Sequence, residues 1–171
     1  QNVSFSDPPK NRVIIVQAMP RPNRLEFILE KCTELGMDEL WLFPGDRSEK
    51  KVVQNSQLKR MEIIIISAMK QSGRVYLPKL IVKEHVTNWK ETAPGNLFFG
   101  DVHPEAPLLL DAWKKKEDGD TLFFIGPESG FSEREEHVLK EMGAIGVKLH
   151  RNILRTDTAS MVVLSVIGML E

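Results

Sequence analysis

Short apolar runs rich in β-branched and aromatic residues alternate along the chain with longer stretches in which apolar residues recur every three or four positions. The short runs predict strands over residues 12–18, 39–43, 77–82, 96–100, 121–125 and 145–149. The longer stretches predict helices over about 23–35, 56–71, 87–91, 132–142 and 156–170. Such alternation is typical of an α/β fold with a mostly parallel sheet and helices on both of its faces.

Several predicted helices carry signals at their ends. Asn23 and Thr156 are expected to cap the first and last helices, and Ser132 with Glu135 three residues later forms a capping box. Three helices are expected to end at a glycine, namely Gly36, Gly73 and Gly143.

The last helix is apolar nearly all round, so both of its sides need cover. The second cover is either another copy of the chain, in a twofold homodimer, or the rest of the same subunit. The pattern alone leaves both open.

Composition limits the class of protein further. The chain has 171 residues, 42% of them hydrophobic, and a net charge of −1, which fits one globular domain with a single core. Its longest apolar stretch, residues 159–170, is too short to cross a membrane. Cys32 is the only cysteine, so no internal disulfide forms and a reducing cytoplasm is expected. Residues 1–11 are polar with a proline pair and are interpreted as a linker from a missing N-terminal module.

Candidate chemistry lies in the loops that follow Phe99, Ile125 and Leu149, because parallel sheets bind ligands at the carboxyl ends of their strands. The loop GPESG, residues 126–130, resembles a phosphate-binding turn, but Glu128 and the acidic residues that follow it would repel a pyrophosphate. Such a loop suits a neutral or cationic ligand. Alternatively, it is only a turn between a strand and a helix.

The loop before the last helix contains Arg155, between two apolar residues and a capped helix start. Its guanidinium is expected to be partly sheltered and directed at a phosphate or planar acceptor. The alternative is a salt bridge to Asp157 or to a carboxylate of the loop 126–130. The four histidines show no metal-binding spacing, so no metal is expected.

Four segments together resemble the RsmE family of 16S ribosomal RNA uridine-N3 methyltransferases, which belong to the SPOUT superfamily. They are FIGPESGFSEREEHVLKEMGAIGVKLHRNILRTDTASMVVLSVI (124–167), EKCTELGMDELWLFPGDRS (30–48), SAMKQSGRVYLP (67–78) and QAMPRPNRLE (17–26). The family's usual GPEGG is GPESG here, and His150 stands where the family has a glycine.

This resemblance implies a SPOUT-type domain over residues 12–171, with a C-terminal trefoil knot and a homodimer formed through the last helix. It also implies an N-terminal RNA-binding domain in the family and S-adenosylmethionine bound in the knot loops. An acidic loop tolerates the sulfonium of that cofactor. The cofactor-binding residues implied are Phe99, Gly100, Ile125, Gly126, Pro127, Glu128, Gly130, Leu149, His150, Ile153 and Leu154.

The mechanism implied is methyl transfer to uridine N3, with Arg155 stabilising negative charge on the uracil oxygens. Glu128 or Asp157, acting through a water, are candidate proton acceptors. Alternatives are a SPOUT enzyme acting on another base or a ribose hydroxyl, a non-catalytic RNA-binding dimer, and a phosphate-binding flavodoxin-like domain. The residues expected to contact RNA phosphates are Arg21, Lys31, Arg47 and Arg74.

Overall fold

The computed structural model describes residues 9–89 and 95–170. The strands are β1 (Val13–Ala18), β2 (Glu39–Phe43), β3 (Lys79–Val82), β4 (Asn96–Gly100), β5 (Thr121–Ile125) and β6 (Ile145–Val147). The helices are α1 (Pro22–Glu34), α2 (Asn55–Ser72), α3 (Leu109–Trp113), α4 (Glu133–Glu141) and α5 (Thr156–Leu170), with a 3-10 helix at Val86–Asn88.

The six strands form one sheet in the order β3-β2-β1-β5-β4-β6. Every strand pair is parallel, and β1 at the centre pairs with β2 on one side and β5 on the other. The predicted α/β fold with a mostly parallel sheet is therefore confirmed. All six strands end at the same edge, which brings the loops after them together.

The core has two layers, one on each face of the sheet. Alternate residues of β1 point to opposite faces, so Ile15 joins one layer and Ile14 the other. The first layer packs under α1, α2, α3 and α5, and the second packs under α4 and the 3-10 helix. Helices thus cover both faces, as the sequence predicts.

The helix ends confirm some of the predicted signals and correct others. Ser132 and Glu135 form the capping box, and Gly73 ends α2 with a φ of 73°. The predicted cap at Asn23 is wrong because α1 already begins at Pro22, whose missing N–H needs no capping partner. The predicted cap at Thr156 is also wrong, since Thr156 is itself the first residue of α5 and its hydroxyl donates to the Gly126 carbonyl at 2.9 Å.

Three further differences lie in short elements. The helix α3 has no counterpart in the predictions, and β6 ends at Val147 rather than at residue 149. Residues 87–91 were expected to be helical; the structure has a 3-10 helix at Val86–Asn88, and residues 90 and 91 lie outside the described part. Residues 1–8 of the expected linker also lie outside it.

The last helix is unevenly covered. Ser160, Val163, Leu164 and Ile167 are buried on one side, whereas Met169 is 86% exposed. The monomer therefore covers one side of α5 only. In the described ranges no helix combines the length and the hydropathy needed to traverse a bilayer.

Candidate functional site

A cavity of about 310 Å³ opens at the carboxyl edge of the sheet. The loops after β4, β5 and β6 all contribute to its wall, as the sheet rule predicts. Of the residues expected to hold a cofactor, those that line this cavity are Gly100, Ile125, Gly126, Pro127, Glu128, Gly130, Leu149, His150, Ile153 and Leu154.

One expected cofactor residue, Phe99, does not line the cavity. Its side chain is fully buried and packs edge-on against Phe131, with ring centroids 6.2 Å apart. Phe131 itself lines the cavity. The aromatic contact at this wall therefore comes from the residue that follows the glycine loop.

The loop 126–130 is held tightly by its own backbone. Gly130 N donates to the Pro127 carbonyl at 2.8 Å, and Gly130 has a left-handed φ of 73°. A Cβ on Gly126 would lie 3.1 Å from Phe131 N and 3.2 Å from Gly130 C. Because both neighbours are backbone atoms, a side chain at residue 126 would require the loop backbone to shift by a few tenths of an ångström.

A buried polar network lies next to the cavity and includes two of its lining residues, Gly126 and Thr156. Gln17, at the end of β1, is fully buried, and its Nε2 donates to Thr156 Oγ1 at 2.9 Å. Ser160 Oγ donates to Gln17 Oε1 at 3.1 Å, and Thr156 donates to the Gly126 carbonyl. The network joins β1, the glycine loop and α5 through side-chain hydrogen bonds. No sequence motif indicated Gln17, although its place at the end of a central strand was a usable signal.

Charge is divided across the cavity. Glu128 and Glu136 contribute carboxylates on the side of the glycine loop, whereas Lys148 and Arg151 bring cations from the loop after β6. Arg47, from the loop after β2, also lines the cavity and donates to the Ser129 carbonyl at 2.9 Å. The wall thus contains residues of both charges, and the glycine loop itself brings Glu128 and Arg47 together.

The side chain of Arg155 is more exposed than the sequence predicts. Its neighbours Leu154 and Thr156 line the cavity, but Arg155 is exposed, and its side chain makes no hydrogen bond or ion pair with any described residue. The expected shelter is wrong because the chain turns into α5 at this point and directs successive side chains to different sides. The alternative salt bridge to Asp157 is also not formed.

The carboxylate of Asp157 forms an ion pair with Arg24 of α1. Its side chain is 5% exposed, and its Oδ2 accepts from Arg24 Nη1 at 2.6 Å. Its Oδ1 accepts from Thr158 N at 2.9 Å. This carboxylate joins α5 to α1, so it is not available as a proton acceptor at the cavity.

Arg74 was expected to contact RNA, and the structure gives it a structural role instead. It donates to the carbonyls of Thr33 and Met37 at 3.0 and 2.6 Å and pairs with Asp38 at 3.1 Å. Burial lowers the pKa of the guanidinium, and Asp38 only partly offsets this. Arg74 therefore fastens the end of α1 to the end of α2.

The other three expected RNA contacts remain at the surface. Lys31 is paired with Glu30 and Glu34 at 2.7 and 2.9 Å, and hydrogen bonds to these carboxylates raise the pKa of its ammonium. A hydrogen bond from Arg21 to Glu49 likewise raises the pKa of Arg21. Of the three, Arg47 lies closest to the cavity, because it forms part of the wall.

The single thiol plays no part in this site. Cys32 is fully buried in α1, and burial raises the pKa of its thiol to about 12. A thiolate nucleophile is therefore excluded at Cys32. The arrangement at the cavity favours binding and positioning of two ligands rather than covalent chemistry on the protein.

Comparison with known protein families finds one family model that matches almost the whole chain. The model of the RNA methyltransferase domain family matches residues 7–168. The ribosomal RNA small subunit methyltransferase E of Aquifex aeolicus is 30% identical over 168 residues, which cover 94% of this chain and 69% of that protein. The protein of the same name from Mesomycoplasma hyopneumoniae is 25% identical over 175 residues, which cover 96% of this chain and 73% of that protein. The chain spans about two thirds of the length of such relatives.

Solved structures share the fold. A ribosomal RNA small subunit methyltransferase E from Neisseria gonorrhoeae, crystallised bound to S-adenosyl methionine, superposes with a TM-score of 0.83 at 28% identity. The match covers 94% of this chain and 66% of that one. Such structures bear out the SPOUT-type sheet that the resemblance implies.

Proposed function

Since the chain belongs to the ribosomal RNA small subunit methyltransferase E family, we propose that it transfers the methyl group of S-adenosylmethionine to N3 of a uridine in 16S ribosomal RNA. The observation that carries this proposal is the cavity at the carboxyl edge of the sheet, formed by the acidic glycine loop and the loop before α5. The Neisseria gonorrhoeae protein with the same fold was crystallised with this cofactor.

The residues of the cavity fit the cofactor chemically. Glu128 and Glu136 offer negative charge to a sulfonium, and the closely packed loop at Gly126 presents backbone groups to an uncharged adenosine. Ile125, Leu149 and Leu154 supply apolar wall. When bound, the cofactor supplies an electrophilic methyl group.

The protein's contribution to the reaction is positioning and electrostatics. Uridine N3 loses its proton during methylation, so negative charge develops on the uracil oxygens. Arg155 is proposed to stabilise this charge, because it lies in the chain between two residues of the cavity wall, Leu154 and Thr156, and its side chain is not engaged by any described residue. Glu128 is the remaining candidate proton acceptor, because it lines the cavity whereas Asp157 is paired with Arg24.

A second copy is proposed to cover the exposed side of α5, giving a homodimer. Met169 and Leu170 are exposed on this helix, and half-buried apolar residues continue the same side toward its first turn. A partner at this face would also close over Arg155 at the start of α5. We include the C-terminal trefoil knot, a cytoplasmic location and an N-terminal RNA-binding domain in the proposal on family resemblance alone.

RNA binding is proposed to use Arg47 and Arg21, with Lys31 as a weaker contact because two carboxylates already hold it. We expect Arg47→Ala to reduce the slope of RNA affinity against salt concentration by about one charge.

We expect Arg74→Met to leave this salt dependence unchanged but to lower the free energy of unfolding by about 3 kcal/mol, because two backbone carbonyls and a carboxylate lose this donor.

The measurements are fluorescence anisotropy of a 16S rRNA fragment over a range of salt concentrations and urea unfolding of each variant. Arg60→Ala serves as the control, because Arg60 is an exposed arginine paired with Glu26 on α1. An unchanged slope in Arg47→Ala, or a reduced slope in Arg74→Met, would contradict the assignment.

The proposed activity is tested on small ribosomal subunits from a strain that lacks the native N3-methyluridine. The protein and labelled S-adenosylmethionine are added, the RNA is digested, and the nucleosides are separated by mass spectrometry. We expect N3-methyluridine as the product. A 2′-O-methylated nucleoside or another methylated base would instead indicate a different SPOUT specificity, and cofactor binding without any product would indicate a missing domain or a different RNA.

A further inference from the structure

A cluster on the far side of the glycine loop brings three potential metal ligands together. Asp46 follows β2, His85 follows β3 and Glu135 lies in the first turn of α4, and one ligand atom of each lies within 4.8 Å of the others. His85 Nε2 is 3.1 Å from Asp46 Oδ1 and 3.5 Å from Glu135 Oε1. Nε2 is nevertheless buried and makes no hydrogen bond to any residue described. The ring nitrogen thus faces two carboxylates without donating to either.

Each ligand is oriented by contacts on its outer side. Asp46 Oδ2 accepts from Ser132 Oγ at 2.6 Å, and Glu135 Oε2 accepts from Ser132 N at 2.8 Å. Glu135 Oε1 accepts the Asp46 N–H at 3.0 Å and keeps a second lone pair. His85 Nδ1 lies 2.8 Å from Thr87 Oγ1 and 3.3 Å from the Thr87 backbone N–H. In the tautomer in which Nδ1–H donates to Oγ1, the closer of the two atoms, the Nε2 lone pair is free for a metal ion. Outer contacts of this kind are typical of metal ligands.

The charge and the chemistry of these donors select a class of ion. Two carboxylates and a neutral imidazole carry a charge of about −2, which a divalent cation neutralises. One nitrogen and two oxygens suit a zinc-type transition metal, whereas Mg²⁺ and Ca²⁺ prefer oxygen ligands alone. The side chain of Asp46 is 33% exposed, so an ion has a path to the cluster and water can complete its coordination.

We propose that Asp46, His85 and Glu135 form a binding site for a divalent transition-metal ion of the zinc type. Such an ion would join the loops after β2 and β3 to the start of α4. It would also fix the position of Asp46, the residue before Arg47. Arg47 in turn contacts the glycine loop, because it donates to the Ser129 carbonyl. The spacing of the histidines gave no indication of this site because its three ligands are far apart in the sequence.

The proposal is tested on protein stripped of metal with a chelator and then titrated with Zn²⁺. We expect one site by calorimetry and, at a hundredfold excess over Kd, a rise in Tm of roughly 5 to 10 °C. Co²⁺ should give a visible absorption band that Zn²⁺ abolishes. His85→Gln and Asp46→Asn should lose both signals, and Thr87→Val should weaken binding about 10- to 100-fold.

His137→Gln is the matched control, because His137 is an exposed histidine 3.3 Å from Glu141. This variant should keep the full rise in Tm. If a His85 variant folds poorly by circular dichroism, Asp46→Asn and Thr87→Val decide the question. The proposal is overturned if Zn²⁺ leaves the Tm of the native chain unchanged, as a protonated His85 bridging the two carboxylates would predict, or if the binding survives in Asp46→Asn. Methyl transfer is not needed as a readout, so this result is independent of the proposed function.

Discussion

Gly126→Val is expected to weaken S-adenosylmethionine binding about 10- to 100-fold and to stop methyl transfer at ordinary cofactor concentrations. A Cβ at residue 126 already lies 3.1 Å from Phe131 N, and a branched side chain adds two further carbons to that contact. Because the neighbours are backbone atoms, the glycine loop has to shift, and the cavity wall moves with it. Isothermal titration with the cofactor measures the effect.

Gly168→Ala is the control for this prediction. Gly168 is exposed on α5, and a Cβ there meets nothing within 4 Å, so cofactor affinity should stay unchanged. Gly126→Ala should give a smaller loss than the valine variant in the same direction. Native affinity in Gly126→Val, with the fold intact, would mean that the cofactor does not use this loop.

Arg155→Ala is expected to lower the rate of methyl transfer about 10²- to 10³-fold, the usual cost of removing one donor to a developing negative charge. Cofactor affinity should hardly change, because the Arg155 side chain does not line the cavity. Arg155→Lys should recover part of the rate, since it keeps the charge but not the planar pair of donors. Single-turnover kinetics and calorimetry separate the two effects.

Because Arg155 is exposed, the effect of its substitution has to be compared with that of another exposed arginine. Arg60→Ala removes an exposed arginine on α2 and should leave the rate at the native level. If the reaction needs a second copy to close over Arg155, dilution below the dimer dissociation constant should lower the native rate as well. A native rate in Arg155→Ala would exclude the catalytic role.

The fold was largely predictable because its signals are local. The strands β2, β4 and β5 have the predicted bounds, since each is a short apolar run closed by glycine, proline or a charged residue. The capping box at Ser132 was predictable for the same reason. The short helix α3 was not, because its buried face consists of only three residues, Leu109, Ala112 and Trp113, which are too few to establish a helical period in the sequence.

The loops of the site were predictable, because parallel sheets bind ligands at the carboxyl ends of their strands. The partners of individual side chains were not. That rule identified the loops around Gly126 and Leu149, and the structure brings them to one cavity. No pattern shows that Arg74 turns inward to two carbonyls while Arg155 stays exposed, because both are single arginines at the ends of elements. The cluster of Asp46, His85 and Glu135 could not be predicted from the sequence either, because these residues are far apart in the chain and only folding brings them together.

The centre of the sheet joins two distant parts of the chain. Strand β1, at residues 13–18, has β5, at residues 121–125, as its neighbour on one side. During translation, one edge of β1 therefore stays unpaired until most of the chain has left the ribosome, and an uncovered apolar strand edge attracts other chains. Because β1 and β5 are separated by about a hundred residues, the centre of the sheet forms only after a distant pairing, which predicts slow refolding of the chain.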